Sequence, residues 1–391
     1  MKKLRGLLVL FLVGAAASLA LRAQTPEQPA AKTRYLAYVG TYTTKTASKG
    51  IYAFRFDADK GQLSAMTVAA ETTDPSFLVV HPNGKYLYAV NEVGNFNGGT
   101  TGGLSAFSID APSGALKLLN QVPTRGAGPC YVSLDKNNSF ALVANYDSGN
   151  IASFPVRWDG TLGTAAGFVQ HSGAGPNKER QEGPHAHWIG TSPDNAFALV
   201  ADLGLDQVIV YAFNPTMGTF TPSLTGFAKV KPGAGPRHVA FAPNGKFVYV
   251  LSEMESSVTA FAYQAKTGTL KNLQTISALP ADYDGRKEAA EIAVHPSGRF
   301  LYTSNRGHDS IAIFAIDGKK GTLRSLGQVL TGGKTPRHFA IDPTGAYLLA
   351  ENQESNNIVV FHIDSATGNL TPTGQTVDVP SPVCLTFVPV P

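Results

Sequence analysis

Cysteine is almost absent from this chain, and charge is sparse. Two cysteines in 391 residues exclude a disulfide-stapled miniature scaffold, and no CxxC or Cys/His zinc spacing occurs. Charged residues make up 15% of the chain and the net charge is +4. Part of that charge sits at the N-terminus and no basic stripe follows, so nucleic acid is not an expected partner. Membrane-length apolar runs are missing too: the stretch Leu7 to Val13 falls short of the about 20 residues a spanning helix needs. What is plentiful is glycine (40) and proline (25). That composition suits many short strands joined by turns and speaks against a helical protein.

The N-terminus reads as a targeting segment. Lys2, Lys3 and Arg5 precede the short apolar run, and small residues follow, with cleavage sites after Ala20 and Ala23. This is the pattern of a secretory signal peptide. Residues 1–23 are therefore expected to be removed, leaving no membrane span, with an uncleaved anchor as the alternative. Residues 24–33 read as a Pro- and Ala-rich linker. The protein is expected to be exported, periplasmic or secreted, and monomeric.

The rest of the chain repeats itself. Pro75 to Tyr88 (PSFLVVHPNGKYLY) resembles Pro236 to Tyr249 (PRHVAFAPNGKFVY) and Pro336 to Leu349 (PRHFAIDPTGAYLL). Glu291 to Tyr302 is another copy, weaker ones begin at Pro129 and Pro184, and a truncated one starts at Pro382. Each unit holds an apolar strand, a Pro-x-Gly turn, a second strand, a polar loop and a third strand. A Thr-Gly-Thr-Leu-like turn at Gly114, Gly268, Gly321 or Gly368 then leads to a fourth strand. Proline pre-sets such a turn and glycine takes its positive φ. Four antiparallel strands in roughly 50 residues describe a β-propeller blade.

Turn prolines Pro82, Pro193, Pro243, Pro296, Pro343 and Pro389, with the degenerate turn at Asp135 to Asn138, count seven blades. The last copy stops after one strand, while Tyr35 to Val39 and Gly50 to Asp57 match second and third strands. The fold class is therefore all-β, a seven-bladed propeller over residues 34–391, closed by its own two termini, which hides an open sheet edge. Cys130 and Cys384 fall on inner strands of non-adjacent repeats and are expected to be buried free thiols.

In this geometry the start of each inner strand and the end of each second strand share one mouth of the channel. Apolar residues start blades 1, 2 and 7, for instance Phe77, Tyr131 and Val383. Blades 3 to 6 start with His185 and His187, Arg237 and His238, Glu291, and Arg337 and His338. Second strands end at Asn91 and Glu92, Asn145 and Tyr146, Asp202, Glu253, Asn305 and Arg306, and Glu351 and Asn352. Polar strand ends are ordinary in a wet channel, but four adjacent blades repeating Arg, His and Glu point to a lopsided small-molecule site. His81 and His295 fall at the opposite mouth and read as structural. His171 and His362 match no site position, and His308 is expected on a loop near the active mouth.

The strings at Gly183 to His187, Gly235 to His238, Ser304 to Arg306 and Pro336 to His338, in a seven-blade register, resemble the lactonase-type propeller family. That family includes propeller-type bacterial 6-phosphogluconolactonases and fungal carboxy-muconate cyclases. The resemblance covers roughly residues 34–391. It implies a His, two Arg and a Glu as the active group, matched here by His187 (or His185), Arg237, Arg306 and Glu253. Expected export departs from a cytosolic phosphorylated substrate.

Lactone hydrolysis needs a base for water and donors for the oxyanion. Glu253 or His187, with Glu291 behind them, is the expected base, and Arg237 and Arg306 the oxyanion donors. His185, His238, Glu291, Arg337, His338 and Asp202 are expected to bind substrate, a sugar lactone or carboxylic acid. No cofactor is required, although His185, His187, Asp202 and Glu253 are residue types that hold divalent cations. The alternatives are a cyclase or isomerase acting on a dicarboxylic acid, and a binding propeller without catalysis.

Overall fold

The computed structural model describes Met1 and residues 34–390. Apart from Met1, the expected signal peptide and linker lie outside the described residues. Seven antiparallel sheets follow one another along the chain, as the repeat predicts. Blades 1 to 6 begin with the inner strands Leu78–Val80, Pro129–Leu134, Ala186–Thr191, Pro236–Phe241, Ala289–Val294 and Pro336–Ile341. Blade 7 has Pro382–Pro389 as its inner strand, paired with Arg34–Thr41, which pairs in turn with Gly50–Asp57. Gly40 faces Cys384 and Tyr35 faces Pro389 across that seam. The outer edge of blade 7 is split between Gln62–Leu63 and Thr67–Glu71.

Blade 4 shows why these sequences make these strands. Its second strand, Phe247–Ser252, is buried at every residue, whereas the outer strand Thr269–Ser277 carries its exposed residues on one edge of the molecule. A middle strand is covered on both faces by neighbouring blades, so it reads as a continuous apolar run instead of an alternating one. The core is accordingly a ring of inter-blade clusters. Val248 and Val250 pack with Leu199 and Val208 of blade 3, while Tyr249 and Leu251 pack with Leu301 and Phe314 of blade 5.

The Thr-Gly turns are the joints between blades. Gly321 has φ +74°, and a Cβ there would lie 2.2 Å from the Phe247 ring of the preceding blade. Gly368 meets Phe300 and Gly268 meets Phe197 in the same way. The tyrosines of the second strands fasten these joints: Tyr88, Tyr302 and Tyr38 donate to the carbonyls of Gly160, Gly368 and Gly114.

Candidate active site

Each polar inner strand opens with an irregularity in pairing. In blade 4, Pro236 faces Ser252 but His238 already faces Leu251, so Arg237 is an extra residue. Arg337 in blade 6, His187 in blade 3 and Cys130 in blade 2 are extra in the same way, and blade 5 gains around Ala290 and Glu291. A bulge re-aims its side chain and is common beside active sites. Of these residues, Cys130, Arg237, Glu291 and Arg337 line one pocket.

Glu253 is the hub of the resulting cluster. Its Oε2 is 3.1 Å from Arg237 Nε and 2.9 Å from Arg306 Nη2, and its Oε1 accepts from Arg180 Nη2 at 2.8 Å. Burial alone would raise this carboxyl, but Arg306, Arg237 and Arg180 outweigh burial and pull it down to about 2. Arg237 is pressed in the other direction. Burial and repulsion from Arg306 and Arg337 lower it to about 10, against the pull of Glu253 and Glu291.

The three central histidines differ. His238 uses both ring nitrogens, with Nδ1 on Glu291 Oε2 (3.0 Å) and Nε2 on Arg237 Nη1 (3.2 Å). Burial lowers it to about 4, more than Glu291 can restore. His187 has Nδ1 3.6 Å from Cys130 Sγ, and it is held well below the ordinary value by burial, Arg237 and His238. His338 moves the opposite way. Burial lowers it, but Glu351 and then Glu291 overcome that and raise it.

Arg237, His238, Glu291, Arg337 and His338 line a small, tight pocket, with Phe77 and Cys130 also among its lining residues. Glu253, Arg306 and His187 do not line it. Arg237 joins the first two to it, and His187 sits between His238 and the rim residue Tyr146, at ring distances of 5.2 and 5.4 Å. His185 stacks on Tyr146 at 4.5 Å and reaches Glu182. The apolar side expected from blades 1 and 2 is Phe77 against Tyr131, 4.2 Å apart. A roomier groove between blades 7 and 1, walled by Glu71, Asn91, Phe96 and Gln121, brings no such convergence of ionisable groups.

Asp202 stands apart from the other expected site residues. Its oxygens take His171 Nδ1 (2.6 Å) and the amides of His185 and Leu205. It occupies the position of Asn91, Asn145, Asn305 and Asn352, whose amides tie each second strand to the loop behind it. The mouth belongs to the next residue: Glu92, Tyr146, Glu253 and Arg306. The same register in blade 7 gives Tyr42, which sequence reasoning missed because that blade's second strand lies at the other end of the chain. Tyr42 donates to Glu92 at 2.9 Å and accepts from Arg337 Nη2 at 2.8 Å. Arg180 was also missed. It lies on a long loop with no counterpart in other repeats, and only its charged neighbours Lys178 and Glu179 hinted at it.

His295 bridges Ser297 and the Gly345 carbonyl, the structural role expected of it. Cys130 and Cys384 are buried free thiols. Among the described residues, no three His, Cys, Asp or Glu side chains stand together as a metal would need. Asp202 is committed to His171 and Glu253 to three arginines.

A seven-bladed propeller with an Arg/His/Glu cluster at one channel mouth is the class that fold and site define. The family model described as a seven-bladed β-propeller lactonase matches residues 36–387. A 6-phosphogluconolactonase of Bacillus subtilis is 41% identical over 356 residues, 91% of this chain and 99% of that one. The solved structure of a periplasmic gluconolactonase of Pseudomonas aeruginosa is 35% identical, with a TM-score of 0.86, over 92% of this chain and 100% of its own. The chain belongs to the family of seven-bladed lactonases, an enzyme family of lactone hydrolases.

Proposed function

We propose that this protein opens a sugar lactone by water attack at the Arg237–Glu253–Arg306 cluster. The observation that carries the reading is the triple arginine grip on one buried carboxylate beside a small cavity. Arginines fixed in this way are preorganised donors for a developing oxyanion, at no reorganisation cost during reaction. Glu253, pulled down to about 2, is a weak base and acts as the clamp. His187, an uncharged imidazole next to those arginines, is the base for water. Arg337, His338, His238 and Glu291 hold the sugar, and His185 belongs to the rim.

Between a 6-phosphogluconolactone-like substrate and an unphosphorylated aldonolactone, the unphosphorylated one fits better. Arg237, Arg306 and Arg180 share Glu253, and Arg337 is bound through Tyr42 to Glu92. A phosphate or a second carboxylate would have to displace one of these partners, which also counts against a dicarboxylic acid cyclase. Export, with removal of residues 1–23 ahead of the linker 24–33, agrees with such a substrate, and the Pseudomonas aeruginosa relative is itself called periplasmic. No helix among the described residues is long and apolar enough to cross a membrane. The mature protein acts as a monomer, without metal or nucleic acid.

The test is pH-stat hydrolysis of glucono-δ-lactone and 6-phosphogluconolactone by the mature chain, with and without chelator. Turnover above spontaneous opening, faster on the unphosphorylated lactone and indifferent to chelator, is expected. No turnover on either would sink the lactonase reading and leave a binding propeller.

A further inference from the structure

Glu351 is a buried carboxylate where the fold has no need of one. In blade 6 it is the cross-strand partner of His338, and the equivalent pair in blade 4 is His238 opposite Leu251. Blades 2 and 3 place Ala144 and Ala201 at that position. Blade 5 has Ser304 there, so Glu351 is the lone ionisable group of this register, and a buried ionisable group is destabilising unless paired. Its pair is His338: Oε2 lies 2.6 Å from Nδ1. The Leu385 amide also approaches Nδ1, at 3.3 Å, but the shorter contact takes the ring hydrogen. This fixes the imidazole with Nε2 toward Glu291, 3.5 Å away, and both residues line the cavity.

We propose that His338, oriented by Glu351, is the general acid that protonates the departing ring oxygen of the lactone. The inference rests on the lactonase reading above and adds the second half of the reaction to it. Water forms its bond to the lactone carbonyl carbon and gives a proton to His187, while the carbonyl electron pair moves onto oxygen beside the arginines. The pair returns, the bond from that carbon to the ring oxygen breaks, and the ring oxygen takes the proton from His338 Nε2. Water in the mouth carries the proton from His187 back to His338, so the balance is one water added and one hydroxy acid released. Two titratable groups pushed apart by their surroundings are the signature of an acid and base pair. His187 is depressed by Arg237 and its neighbours, whereas His338 is raised between two carboxylates.

The groups facing His338 are Glu351 and Arg337 of its own blade, Glu291 of blade 5, His238 and Arg237 of blade 4, and Cys384 of blade 7. Glu351 is a positioning residue, so its removal is read by a pH profile. Glu351→Leu copies the register residue of blade 4 but leaves the buried His338 with one carboxylate fewer, so the urea midpoint should fall, and folding is checked by circular dichroism. Its kcat/KM on glucono-δ-lactone, corrected for spontaneous opening, should fall at neutral pH. The alkaline limb of its profile should move to lower pH by about one unit or more, the size of shift that loss of a close opposite charge gives. His338→Gln should lose that limb and about 100-fold or more in kcat/KM, the usual reach of acid–base catalysis. An unmoved alkaline limb in a folded Glu351→Leu protein, or wild-type turnover in His338→Gln, would overturn the assignment. If either variant fails to fold, histidine NMR titration of the wild-type chain decides: His338 must titrate above His187, and the reverse order refutes the proposal. Absence of wild-type turnover would defeat the lactonase reading instead, and the titration would still show whether the acid is in place.

Discussion

Buried carboxylates divide this molecule by what faces them. Glu253 meets three guanidiniums and Glu291 the imidazoles of His238 and His338, and both are pulled from 4.5 to about 2 in spite of burial. A depressed carboxyl stabilises the fold above its unfolded pKa, and that stability is lost as pH falls through the folded value. For Glu253 the window runs from about pH 4.5 down to about 2, on the order of 3 kcal/mol. The urea midpoint should therefore fall steeply across that window, and Glu253→Gln should flatten the fall. The same variant should lose roughly 3–5 kcal/mol near neutral pH, because three buried or half-buried guanidiniums keep no carboxylate. A midpoint independent of pH between 5 and 3 would contradict this assignment of charge. At this scale the sequence was readable where the repeat was regular. Register alone placed Arg237, Arg306, Arg337 and Glu253 at one mouth of the channel. Asp202 looked equivalent to Glu253 because a one-residue offset at a strand end cannot be seen without the pairing, and Arg180 belongs to no repeat.

Strands and turns were legible because their signals are local. Proline and glycine mark the inner hairpins, and apolar runs mark the covered second strands. The bulges that aim Arg237, Arg337 and His187 left no mark, since they are shifts in pairing and the strings Pro236 to His238 and Pro336 to His338 align without a gap. The inter-blade joints were visible only as a recurring Thr-Gly. Their reason is the contact, as Gly321 must hold φ +74° against Phe247. Gly321→Ala adds both strain and overlap, and should destabilise by about 2 kcal/mol or more in urea unfolding. A shift below a few tenths would mean the joint can relax. The thiols report on the same packing. Cys130 and Cys384 are buried and pushed well up by that burial, so a thiol reagent should find neither in the native protein and two after denaturation.

The propeller is a ring held shut by one seam. Leu385 and Val388 of the last strand belong to two different core clusters, one shared with blade 6 and one with blade 1. Deleting residues 380–391 removes the inner strand of blade 7 and opens an edge along Arg34–Thr41. Such a chain should aggregate, or melt far below the intact protein in a thermal scan. Closure matters for chemistry because the four polar blades must face one another across a fixed channel. The central claim is that they form a lactone-hydrolysing site with Arg237 as an oxyanion donor. The most direct test is the kcat of Arg237→Ala on glucono-δ-lactone beside wild type, with folding checked by circular dichroism. Loss of one preorganised donor should lower kcat by about 100- to 1,000-fold. A folded Arg237→Ala protein turning over near the wild-type rate would place the chemistry elsewhere.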